Sequence, residues 1–137
     1  MYVIAITGTR KGIGNDLANY YLEKGFIVAG CSRKKSSIEH KNYRHFTLDV
    51  ADESLVKDMV NSVKKEFGKI DALINNAGIA SLNHSLTTPY DTIKSIFETN
   101  MFGTFLFIRE VAKVMVRKKY GRIINFSTVA AGIRLEG

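Results

Sequence analysis

Three glycines, Gly8, Gly12 and Gly14, stand between an apolar run, Tyr2–Thr7, and a segment with helical spacing. Gly8 permits a tight turn, Gly12 lets a phosphate approach the backbone, and Gly14 lets the helix pack near the strand. Ile13 lies between the last two, and Arg10 and Lys11 sit inside the turn. Free N–H groups at the start of the helix, aided by its dipole, would face an anion. A glycine-rich turn alone is a weak signal. A strand before it and a helix after it point to a dinucleotide pyrophosphate as the ligand.

The next informative segment is Gly30-Cys31-Ser32-Arg33-Lys34-Lys35, at the end of a second β-rich run. A cofactor with a free ribose 2′-OH is usually met by Asp or Glu about 20 residues after the glycine turn. This segment holds no acid. A guanidinium forms charge-assisted bonds to a 2′-phosphate, which a carboxylate would repel. Arg33 is placed for that role, with Arg10 or Lys11 reaching from the turn. The expectation is NADP(H) favoured over NAD(H). The plainer alternative is a solvated basic loop.

These residues need a frame that brings strand ends together. Apolar, β-rich runs fall at Tyr2–Thr7, Phe26–Cys31, His45–Leu48, Ala72–Asn75 and Arg122–Ser127. Helical spacing falls at Gly14–Lys24 and Ser54–Phe67, and in one long stretch from Tyr90 to Lys118. In the first helix Ile13, Leu17, Ala18, Tyr21 and Leu22 share a face. Asp52 is the expected N-cap of the second, and Gly68 its stop. Asn83–Pro89 reads as a polar loop. The long stretch is apolar over much of its surface, so burial between the sheet and another layer is expected. Strands alternating with helices imply βαβ units, hence a doubly wound parallel sheet with helices on both faces. Ligands of such sheets bind beyond the C-terminal ends of the strands. One domain over residues 1–137 suits the length.

Several motifs occur in a fixed order: Thr7-Gly8-x-x-x-Gly12-Ile13-Gly14, Asp49-Val50, Asn75-Asn76-Ala77-Gly78, Asn100 within Thr99–Gly103, and Gly121–Thr128. In this order they resemble the short-chain dehydrogenase/reductase family over essentially the whole chain. The resemblance implies a Rossmann-type fold and hydride transfer between NADP(H) and a carbonyl or alcohol compound. It implies that Asp49 and Val50 border the adenine, and that Asn76, Ala77 and Gly78 line the ribose side. It places Asn100 in a proton relay and Thr128, after Ser127, against the substrate carbonyl. Thr128 stands where the family often has serine; its hydroxyl donates the same bond, and its methyl crowds the site.

The family's Tyr-x-x-x-Lys pair should follow this strand. It is absent up to Gly137. Tyr20/Lys24 and Tyr90/Lys94 have the interval but precede Thr128. The expectation is an incomplete dinucleotide-binding domain, with C-terminal strands missing and no turnover by residues 1–137 alone. The alternative is a non-catalytic NADP(H)-binding or sensor module. The resemblance also implies a homo-oligomer, dimer or tetramer, for the intact protein.

Composition narrows the remaining classes. The net charge is +7, yet no nucleic-acid recognition motif accompanies it, so no nucleic-acid partner is expected. No apolar run reaches the roughly 18 residues of a membrane helix, and Met1–Ile6 lacks the basic lead-in of a signal peptide. One cysteine, Cys31, cannot form an internal disulfide, and a cytoplasmic setting is expected. His40, His45 and His84 lack metal-ligand spacing, and no metal is expected.

Overall fold

The computed structural model describes residues 1–128. Five strands form one parallel sheet: β1 (Val3–Thr7), β2 (Ile27–Ser32), β3 (Tyr43–Thr47), β4 (Ala72–Asn75) and β5 (Arg122–Asn125). Their spatial order is β3-β2-β1-β4-β5. The chain thus builds outward from β1 to β3, then returns to the other side of β1. This Rossmann-type order leaves a crevice at the C-terminal ends of β1 and β4, where the winding reverses.

β1 is buried at all five positions, as a central parallel strand should be. Its alternating side chains serve two cores. Val3 and Ala5 join Val56, Met59, Val60 and Val63 of α2 (Glu53–Phe67) and Phe107, Val111 and Val114 of a later helix. Ile4 and Ile6 join Ala18 and Leu22 of α1 (Gly12–Glu23). Helices therefore cover both faces. Asp52 caps α2 by accepting from the Leu55 N–H at 3.0 Å, and Gly68 ends it in the left-handed conformation at φ 75°.

Four local expectations need correction. The first helix starts at Gly12, and Ile13 points away from the core, 58% exposed. β3 begins at Tyr43, because the Tyr43 ring fills the core beside Val28. β5 ends at Asn125, and all four of its residues are exposed. The long helix is three pieces: α3 (Tyr90–Phe97), a π-helical turn (Glu98–Gly103) and α4 (Thr104–Lys118). Only one face of α4 is buried on the sheet; α3 buries none of its residues. The polar loop before α3 contains a short 3₁₀ turn, Ser85–Thr87.

Candidate functional site

The glycine turn is assembled by backbone contacts that leave no room for side chains. The Gly8 and Thr9 N–H groups both donate to the Cys31 carbonyl, at 2.8 and 3.1 Å. This fastens the turn to the end of β2. Gly8 has φ 78°, and a Cβ there would come within 2.9 Å of Asn76 Nδ2. A Cβ on Gly14 would run into the Gly8 carbonyl oxygen. Gly12, at φ 59°, has open space where its Cβ would lie. Each glycine thus meets a different constraint.

Residues after β4 lock onto the same turn. Thr7 Oγ1 accepts from the N–H groups of Asn76 and Ala77, at 3.0 and 2.9 Å. Asn76 Nδ2 donates to the carbonyls of Thr7 and Gly8, at 3.0 and 3.3 Å. Asn100 clamps the next stretch from the π-helical turn. Its Oδ1 accepts from the Ile79 N–H and its Nδ2 donates to the Ile79 carbonyl, both at 2.8 Å. Its own carbonyl accepts from Thr104 Oγ1 at 2.8 Å. The Asn100 side chain therefore uses both polar ends on backbone. Across the crevice, Asp49 Oδ1 accepts from the Ala51 N–H at 2.9 Å. Val50 lies against Gly103, where a Cβ would come within 2.5 Å of Val50 Cγ2.

These strand ends enclose a cleft of about 290 Å³. Its walls are Gly8, Arg10, Lys11 and Ile13 from the turn, Arg33 from the end of β2, Asp49 and Val50, and Asn76, Ala77 and Gly78. All were singled out from the sequence. Gly12, Gly14, Asn100, Ser127 and Thr128 do not line it. Asn100 stands behind the wall, on Ile79. Ser127 and Thr128 are exposed beyond β5, whose ladder continues one step as the Phe126 N–H donates to the Asn75 carbonyl at 3.1 Å. Ser32, Leu48, Ile79 and Thr99 also line the cleft and were not foreseen. Ser32 and Thr99 are direct neighbours of Arg33 and Asn100, which was the available signal.

The two earlier Tyr/Lys pairs lie elsewhere. On α1, Lys24 Nζ sits 4.8 Å above the Tyr20 ring, a surface cation–π contact. On α3, Lys94 pairs with Glu98 at 3.8 Å. None of these residues lines the cleft. Burial pushes the Cys31 thiol up to about 12, partly offset by the Gly8 backbone bond. Cys31 thus acts through its carbonyl, with its thiol kept protonated. Among the described residues no group of three or more His, Cys, Asp or Glu could hold a metal, and no helix is long and apolar enough to cross a membrane.

A model of the short chain dehydrogenase family matches residues 2–137. The chain belongs to the short chain dehydrogenase family. Among curated relatives, the 3-oxoacyl-(acyl-carrier-protein) reductase FabG of Salmonella typhimurium is 29% identical over 133 residues, spanning 93% of this chain and 54% of that protein. Among solved structures, ElxO with NADP bound superposes with a TM-score of 0.91 at 29% identity, covering 98% of this chain and 58% of that one. The 4-hydroxyisoleucine dehydrogenase complexed with NADH gives 0.88 at 27% identity, with 97% and 58% covered. The chain spans about half the length of the curated relatives it matches. As a short chain dehydrogenase, it presents the Rossmann-type half of that fold with its crevice at the strand ends.

Proposed function

We propose that this cleft binds NADP(H) in preference to NAD(H), and that the protein transfers hydride between that cofactor and a carbonyl or alcohol substrate. The observation that carries the cofactor reading is the basic rim: Arg10, Lys11 and Arg33 line one cleft with Ser32, and no acid lies at the end of β2. Asp49 is the acid on the wall, but it follows β3 and turns one oxygen onto the Ala51 N–H. The glycines support the fit. The tight packing at Gly8 and Gly14 fixes the turn against the strand beside the cleft.

When bound, the nicotinamide supplies or accepts the hydride. The chain's residues do the holding. The turn's N–H groups at the start of α1 bind the pyrophosphate, and Arg33 donates to the 2′-phosphate. Asp49 and Val50 border the adenine, and Asn76, Ala77 and Gly78 form the wall along the ribose. Asn100 is a positioning residue that fixes this wall through Ile79. Thr128, next to Ser127, donates a hydrogen bond to the substrate oxygen, where charge develops during reduction.

Cofactor fluorescence titration of the full chain tests the reading. Arg33→Asp removes charge-assisted bonds of about 1.5–3 kcal/mol and substitutes a repulsion. NADPH affinity should fall by roughly a hundredfold, with NADH affinity nearly unchanged. Equal losses for both cofactors would remove Arg33 from the phosphate. NADPH oxidation with a panel of carbonyl compounds tests the reaction. Residues 1–137 alone should bind without oxidation; saturable binding with no oxidation even when any natural continuation beyond Gly137 is present would favour a cofactor-binding sensor.

A further inference from the structure

β3 does not form the basic rim, yet it carries a polar chain that joins the rim's two halves. Thr9, inside the glycine turn, is fully buried, and its Oγ1 lies 2.7 Å from the Tyr43 hydroxyl. That hydroxyl lies 2.9 Å from His45 Nδ1. His45 Nε2 then lies 3.0 Å from the Lys34 carbonyl and 3.3 Å from Ser32 Oγ. Ser32 Oγ itself donates to the Lys34 carbonyl at 2.6 Å. Thr9 precedes Arg10, and Ser32 and Lys34 flank Arg33.

Hydrogen-bond logic orients this chain. With its proton spent on Lys34, Ser32 Oγ must accept from His45, so Nε2 carries a hydrogen. In neutral imidazole Nδ1 then accepts from the Tyr43 hydroxyl, whose oxygen accepts from Thr9. The donors run in one direction, from Thr9 to the Lys34 carbonyl. The fold makes space for it. A Cβ on Gly30 would collide with the Tyr43 hydroxyl and come within 2.5 Å of Thr9 Oγ1. A glycine in the middle of β2 lets the Tyr43 hydroxyl cross that strand to reach the turn. Gly30 and His45 are direct partners in the β2–β3 register.

We propose that His45 is a positioning residue for 2′-phosphate selectivity, tying the loop that carries Arg33 to Thr9 in the glycine turn. The proposal rests on the cofactor reading above. It adds that selectivity depends on a β3 residue that does not line the cleft. A guanidinium on a freely moving loop loses more entropy on meeting a phosphate than one whose loop is tied to the buried Thr9 and Tyr43.

The test compares NADPH and NADH dissociation constants by cofactor fluorescence on the full chain, with thermal unfolding to confirm folding. His45→Leu should lower the NADPH preference by about fivefold, the scale of one lost neutral hydrogen bond, with NADH affinity unchanged. His45→Gln, whose amide N–H can reach the Lys34 carbonyl, should restore most of the preference. Tyr43→Phe, which keeps the ring packing but removes the hydroxyl that joins Thr9 to His45, should lower it as well; it carries the test if His45→Leu does not fold. A folded His45→Leu or Tyr43→Phe with an unchanged NADPH/NADH ratio overturns the proposal, as does equal loss of both cofactors. Arg33→Asp, measured in parallel, separates the two levels. If it leaves the ratio unchanged, the cofactor reading fails. If it changes the ratio and the His45 and Tyr43 variants do not, only the strut fails.

Discussion

Gly12 and Gly14 stand two residues apart in one turn and answer to different forces. Gly12 occupies φ 59° with open space around it, so a methyl there meets only backbone strain. Gly14 has an ordinary φ, but its Cβ would occupy the space of the Gly8 carbonyl oxygen, a backbone atom that cannot swing aside. Gly12→Ala should therefore cost about 1 kcal/mol, the left-handed penalty for an L-residue. Gly14→Ala should cost more, about 1–3 kcal/mol, because the turn must shift as a unit. Urea denaturation of the two variants checks the order; equal costs would mean that the helix can slide off the strand. The tight turn at Gly8 and the close packing at Gly14 were legible because strand, turn and helix follow one another without interruption in the sequence. The Thr9–Tyr43–His45 chain was not. It spans residues 9 to 45, and its members meet only once β2 and β3 pair in the observed register. The run read as a strand, His45–Leu48, left Tyr43 out, so its sharing a face with His45 was not visible. Nor does spacing show that a missing Cβ at Gly30 opens a path through the neighbouring strand.

At the scale of elements, most strand and helix positions could be read from apolar spacing and stop residues, and the sheet's parallel sense followed from the alternation. The break between α3 and α4 was hidden because apolar residues continue at helical spacing across the π-helical turn, at Phe97, Met101 and Phe105, although Thr99, Asn100 and Gly103 are weak helix formers. Its anchors are tertiary: Gly103 against Val50, and Asn100 on Ile79. Asn100→Leu should lower the thermal midpoint by removing both clamps, whereas Asn100→Gln, one methylene longer, should recover only part of the loss. A second inter-element tie is electrostatic. Glu53 at the start of α2 bonds Lys57 and reaches Arg109 of α4, each at 2.7 Å. Lys57 first, then Arg109, holds the Glu53 carboxyl down to about 2. The unfolded value is about 4.3. Because the folded value is depressed, the stabilisation is present above about pH 4.3 and is lost as pH falls towards 2. The group is exposed, so the effect is small. Thermal midpoints of Glu53→Gln and the parent should differ at neutral pH and converge on acidification through that window. A constant gap would show that the Glu53 contribution is independent of its charge.

For the whole molecule, the charged rim and the apolar surface lie on different parts of the fold, and the latter sets how residues 1–137 behave in isolation. β5 is the outer strand on its side of the sheet among the described residues, with Ile123, Ile124 and Phe126 exposed. A second apolar group, Phe97, Met101, Phe102 and Phe105, lies along the helical stretch. An outer parallel strand presents a row of unpaired backbone groups, which templates pairing with another copy. The helical patch offers no such directed bonds and should associate more weakly. A polypeptide of residues 1–137 should therefore self-associate through β5 in a concentration-dependent way, detectable by light scattering. Ile124→Lys, which places a charge on the strand edge, should slow that association markedly, and Phe102→Lys should leave it nearly unchanged. The opposite pattern would assign the association to the helical patch, where side-chain burial rather than backbone pairing brings copies together.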